Sequence, residues 1–148
     1  MTGETLCSVW LYVATASDDW WLDAVRRPLG SYYRVDSRSI TDMQVALNEI
    51  GVLYASTAVH SGWEEGMNLK QAANSDVWTI PQQKALPSDG AHAFAIVGYT
   101  RQGFIVHNSY DTDWGTRGRA VLTYDDCLEN AMDFSVAEIG VVTEQRCV

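Results

Sequence analysis

A histidine and an asparagine sixteen positions apart, His92 and Asn108, are the residues of this 148-residue sequence best suited to chemistry. His92 directly precedes an apolar run, Ala93–Tyr99, and Asn108 ends a second one, Gly103–Asn108. Both runs read as strands. Thr100-Arg-Gln-Gly103 makes a tight turn between them, so an antiparallel hairpin brings the end of the second strand back beside the start of the first. An Asn amide oxygen placed there can accept a bond from an imidazole N–H. That bond fixes the tautomer and the ring orientation while the other nitrogen faces a reaction partner. Spacing alone leaves a plainer alternative open, in which His92 satisfies a strand end and Asn108 caps a turn, and for an isolated His/Asn pair that alternative is the commoner one. His60 and His107 have no comparable constellation and read as structural or exposed.

The elements that must position this pair follow from periodicity and turn chemistry. Tyr32–Val35 reads as a short strand. Ser39 can cap a helix with Asp42 at its third position, and Ile40, Met43, Leu47 and Ile50 then recur at helical steps on one face until Gly51 ends it. Val52–Val59 reads as a buried strand, and residues 61–88 as a long polar loop or a pair of short strands. Arg119–Thr123 and Phe134–Val142 complete the strand candidates. Residues 1–28 stay untyped: Val9–Val13 fits a strand or a short buried helix, and Asp18–Arg27 a helix that stops before Pro28. One helix followed mainly by antiparallel strands is an α+β arrangement. With no repeat or linker in view, residues 1–148 are expected to form one domain.

Composition narrows the partners. Hydrophobic residues make up 47% and charged residues 20%, the balance of a soluble globular protein. A net charge of −9 would repel phosphate backbones and anionic lipid, and no Lys/Arg run offsets it, so neither nucleic acid nor a membrane is an expected partner. Cys7, Cys127 and Cys147 are an odd number without metal-ligand spacing, so no metal or cofactor is expected and reduced thiols fit best. The start, MTGETLCSVW, lacks the basic and apolar regions of a secretory signal, which points to the cytoplasm.

The words around His92 and Asn108 carry more than their spacing. Asp89-Gly-Ala-His-Ala-Phe-Ala-Ile-Val-Gly-Tyr99, Gly103-Phe-Ile-Val-His-Asn-Ser109 and Trp114-Gly-Thr-Arg-Gly118 resemble the papain family of cysteine peptidases. There a Gly-His-Ala strand carries the catalytic His, an Asn-Ser-Trp-Gly motif carries the orienting Asn, and a Trp-Gly-x-x-Gly turn follows. The resemblance covers roughly residues 28–142, with specific motifs from Gly90 to Gly118, and matches the C-terminal, β-rich half of the family fold, an antiparallel sheet or partial barrel. It implies that His92 is the general base, Asn108 its orienter, and Trp114 an aromatic near the leaving-group side. Two departures stand out: Ala91 replaces a Gly, and Tyr110-Asp111 replaces Trp-Gly. Tyr110 still offers an aromatic shield over the His–Asn bond, whereas Asp111 adds a charge that either acts on His92 or faces water.

In this family the nucleophilic Cys opens a long helix whose dipole, with the imidazolium, stabilises the thiolate, and the His and Asn lie about 130–150 residues further on. Cys7 lies only 85 residues before His92 and no Gln precedes it to supply an oxyanion donor, so a buried apolar role suits it better. Cys127 and Cys147 follow the His and Asn and break the order. The resemblance therefore implies that the nucleophile-bearing half is absent from this chain. Three functions are expected from it. The first is part of a peptidase acting on a peptide or protein substrate, its nucleophile on a complementary chain. The second is an inactive pseudo-peptidase that binds peptides, and the third a compact hydrolase using Cys7.

Overall fold

Ser39 and Gly51 delimit a helix for reasons visible in its backbone. In the computed structural model, residues 21–22, 26, 29–69 and 76–139 are described. Residues 32–137 form the larger of two compact units, and the remaining described positions belong to the smaller one. Helix α1 (Ile40–Ile50) begins where Ser39 Oγ accepts the Asp42 N–H at 3.2 Å. It ends where Gly51, at φ +89°, donates its N–H to the Leu47 carbonyl at 2.8 Å, a left-handed cap that glycine adopts without strain. Met43 and Leu47 are buried on its inner face. Ile50, expected on that face, is the last residue of the helix and is 36% exposed.

Six strands form one open antiparallel sheet in the order β1-β6-β2-β3-β4-β5. They are β1 (Leu29–Val35), β2 (Leu53–Ala58), β3 (Ala91–Tyr99), β4 (Gly103–His107), β5 (Arg119–Thr123) and β6 (Ala131–Ile139). Strand β3 starts two residues earlier than its apolar run, so His92 lies inside the strand rather than ahead of it. The reason is pairing: Ala91 and His92 are opposite Ala58 and Thr57 of β2, and a ladder partner extends a strand past the residues whose propensity suggests it. Strand β6 likewise begins at Ala131, and its expected end at Val142 lies outside the described residues, as do Val9–Val13 and most of Asp18–Arg27.

Among the described residues of 61–88, the chain is neither a simple loop nor two strands. Ser61–Asn68 form a 3₁₀ helix, and Trp78 to Ile80 run beside β5, where Thr79 makes a parallel bridge to Val121. A second helix unanticipated from periodicity, α2 (Tyr124–Asn130), is capped by Thr123, whose Oγ1 accepts the Asp126 N–H at 3.2 Å. Seven residues are too few for a helical repeat to register, but Thr-x-x-Asp is a cap signal. None of the described helices is long and apolar enough to cross a membrane.

The core lies on one face of the sheet. Leu53, Ala55, Phe94, Ile96, Phe104, Val106, Leu122 and Phe134 meet Met43 and Leu47 of α1, Trp63 of the 3₁₀ helix and Trp114 of the loop after β4. Full burial of each large side chain stabilises by about 1.5–3 kcal/mol. On the opposite face of β2 and β3, Tyr54, Ala91 and Ala93 are exposed.

Candidate active site

The hairpin of β3 and β4 is what makes His92 and Asn108 neighbours. Thr100 closes the turn: its N–H donates to the Gly103 carbonyl at 2.8 Å, and its hydroxyl accepts the Gln102 and Gly103 N–H groups at 3.1 and 3.3 Å. The chain leaves β4 at Asn108, whose N–H donates to the Gly118 carbonyl at 2.9 Å. The result is a 2.7 Å hydrogen bond between His92 Nε2 and Asn108 Oδ1. The same Oδ1 also accepts the Ser109 N–H at 2.7 Å, which can only donate, so an oxygen must face both partners. His92 therefore carries its proton on Nε2 when neutral, leaving the Nδ1 lone pair for a partner. Asn108 is 6% exposed and His92 is half-buried, so the bond is sheltered while part of the His92 side chain or backbone stays accessible.

Aromatic rings surround the imidazole. Tyr110 lies over it at a centroid distance of 4.6 Å and an angle of 34°. Burial, with Glu64 nearby, holds the Tyr110 hydroxyl above its ordinary range, so the ring is neutral beside His92 at physiological pH. Trp114 is 1% exposed. It meets Tyr110 edge-on at 6.0 Å, stacks on Trp63 at 5.8 Å, and donates its Nε1–H to the Trp63 carbonyl at 2.8 Å. It is thus a buried support under the shield rather than a surface open to a ligand.

The Trp114-to-Gly118 turn closes by a Gly118 N–H bond to the Trp114 carbonyl at 2.8 Å, with φ of +56° at Gly115 and +77° at Gly118. A Cβ on Gly115 would lie 2.5 Å from the Arg119 carbonyl oxygen, so both backbone angle and space require glycine. Ala91 is exposed beside His92. Asp111 is exposed at φ +74°, its carboxylate accepting the Thr112 N–H, and so it faces water.

Sequence reasoning missed a second histidine pair. His60, expected to be structural or exposed and to lack a constellation, is structural at 5% exposure, but its Nε2 lies 3.1 Å from both carboxylate oxygens of Asp126. Its Nδ1 accepts the Gly62 N–H at 3.2 Å and caps the 3₁₀ helix. Asn130 Nδ2 donates to Asp126 at 2.6 Å and to the Gln83 carbonyl at 2.9 Å, while its Oδ1 accepts the Ala85 N–H. Burial holds the Asp126 carboxyl above its ordinary range, an effect that bonds from Asn130 and His60 oppose. The partners lie 66 positions apart, so only the fold could reveal them. His107 is exposed.

Of the thiols, Cys127 is completely buried, and that burial pushes it up to about 12. It is unsuited to nucleophilic attack at neutral pH. Cys7 and Cys147 lie outside the described residues.

No family model matches the sequence, and no curated protein gives a significant match. Solved structures do. The chain is similar to xylellain, a cysteine protease from Xylella fastidiosa, at 25% identity and a TM-score of 0.63, over 82% of this chain and 44% of that one. It is also similar to digestive procathepsin L 3 of Tenebrio molitor larval midgut, at 16% identity and a TM-score of 0.53 over 74% of this chain and 35% of that one. The bromelain protease of Ananas comosus in complex with the E64 inhibitor matches at 18% identity and a TM-score of 0.50, over 74% and 50% respectively. The chain thus spans half or less of the length of each. Its six-stranded sheet, helices and hairpin give it a papain-like fold, in the part that corresponds to the C-terminal, β-rich half of that architecture.

Proposed function

We propose that this chain supplies the base-and-orienter half of a papain-like cysteine peptidase whose nucleophilic thiol comes from a complementary chain. His92 Nδ1 takes the thiol proton, giving a thiolate–imidazolium pair. The thiolate attacks a peptide carbonyl, and the imidazolium returns its proton to the leaving amine, which departs from an acyl-enzyme. Water, deprotonated by the same nitrogen, then releases the acid and restores the thiol. Asn108 holds the ring in the tautomer this cycle needs. The observation that supports the reading most is the 2.7 Å bond from His92 Nε2 to Asn108, with no hydrogen-bond partner at Nδ1 among the described residues.

The test is reconstitution with the chain that co-purifies and carries a Gln…Cys-Trp segment. Thiol-dependent hydrolysis should appear in the complex and fall about 10²–10⁴-fold in His92→Ala. Full activity of that variant in an intact complex contradicts the proposal. The exchanged residues at Ala91, Tyr110 and Asp111 favour a second reading, a pseudo-peptidase that holds a peptide without cutting it. A complex that binds peptides but shows no hydrolysis supports that reading instead. Hydrolysis by this chain alone, abolished by Cys7→Ser, supports the compact enzyme.

A further inference from the structure

The 3₁₀ helix Ser61–Asn68 contributes a ring to the site that neither the His–Asn pair nor the Tyr110 shield accounts for. Trp63 is 2% exposed, and its ring meets His92 edge-on at 6.1 Å and 79°. It also packs against Phe94 at 5.1 Å, and Phe94 in turn lies 6.1 Å from His92. Tyr110 covers the imidazole on another side. The ring of His92 is therefore held by a hydrogen bond at Nε2, by Tyr110, and by the Trp63–Phe94 pair, which leaves little freedom about its side-chain torsions.

Trp63 is itself fixed from both ends of its helix. His60 caps the start through the Gly62 N–H and is anchored to Asp126. At the far end the Gly66 carbonyl accepts the Gly115 N–H at 3.0 Å. Gly66 approaches Trp114 so closely that a Cβ there would lie 2.5 Å from its Nε1. The Trp63 carbonyl accepts the Trp114 Nε1–H and the two indoles stack at 21°. One feature of Trp63 is costly: its own Nε1–H is buried without a partner among the described residues. A ring kept at that cost is retained for what its edge touches rather than for hydrogen bonding.

We infer that Trp63 is a positioning residue for His92, acting through ring contact to hold the imidazole in the orientation that bonds Asn108 and presents Nδ1. The inference rests on the proposed base role of His92 for its catalytic consequence, but the orientation itself is measurable in this chain alone. Trp63→Phe keeps an aromatic edge, and removing the unpaired donor offsets part of what its smaller ring costs in packing. Trp63→Leu fills space without a ring.

Nitrogen-15 shifts of the 148-residue chain report the fraction of neutral His92 that carries its proton on Nε2. Parent and Trp63→Phe should give the same dominant Nε2–H form and a slowly exchanging Nε2 proton. Trp63→Leu should give mixed tautomers and an exchange rate raised on the order of 10-fold or more. In the reconstituted complex, Trp63→Leu should lower kcat about 10–100-fold with KM little changed, and Trp63→Phe should restore it. A folded Trp63→Leu chain with the parental tautomer and exchange rate overturns the inference, as does a folded Trp63→Phe chain that loses them. The parent must also show a magnetisation-transfer contact between the Trp63 and His92 rings, and its absence overturns the inference even if Trp63→Leu does not fold. If the complex shows no hydrolysis while the tautomer series behaves as described, the peptidase reading fails and the positioning role of Trp63 stands.

Discussion

Two histidines of this fold sit beside an oxygen acceptor, and their surroundings suit opposite purposes. His92 is half-buried, its partner Asn108 is neutral, and one ring nitrogen has no hydrogen-bond partner among the described residues. His60 is buried, its partner Asp126 is a carboxylate, and both of its nitrogens are occupied. The contrast teaches what separates a group that can do chemistry from one that holds structure. A neutral amide orients an imidazole without burying an ion, and a free nitrogen can move a proton. A buried carboxylate is stable only when its bonds are satisfied, and His60 with Asn130 satisfies them. In doing so they tie the end of β2 and the 3₁₀ helix to α2.

The contrast can be broken most severely at His92. His92→Ala in the reconstituted complex should cost about 10²–10⁴-fold in kcat/KM while moving stability by only about 1 kcal/mol, as read by steady-state kinetics and urea unfolding. His60→Ala should do the reverse for stability. It leaves the Asp126 carboxylate buried and under-bonded, at a cost of about 3–5 kcal/mol in urea unfolding. A loss under about 1 kcal/mol would show that the pair is not a clamp.

Cys127 sharpens the same division between a buried region hostile to charge and an accessible one. Its folded-state value, about 12, lies above that of the unfolded chain, so the folded state holds the proton more tightly. Stability is unaffected below about pH 9 and falls as pH rises toward 12, by up to about 1.4 kcal/mol per pH unit and about 4 kcal/mol in all. Urea unfolding of the parent and of Cys127→Ala across that range checks it, and the variant should lack this component. The smallest effect belongs to Asp111. Because its carboxylate faces water, Asp111→Asn should change stability by no more than about 0.5 kcal/mol and activity only a few-fold.

Much of this was legible from residues because it is local. Ser39 and Gly51 marked helix α1, Thr100–Gly103 marked the hairpin, and the hairpin alone placed Asn108 beside His92. The rest depends on contacts distant in sequence. Asp126 reaches His60 across 66 positions, and Trp114 reaches Trp63 across 51. Neither leaves a period or a motif in the chain. Strand β3 outran its apolar run because Thr57 pairs with His92. Helix α2 was too short to show a helical repeat, although Thr123 and Asp126 carried its cap.

The most direct measurement is the distance from His92 Nδ1 to the nucleophilic sulfur in a structure of this chain bound to the proposed complementary chain. The account predicts hydrogen-bond reach, about 3–3.5 Å or one bridging water, with Nε2 still bonded to Asn108. A sulfur about 10 Å away or more, or one approaching Nε2 with the Asn108 bond broken, would contradict it.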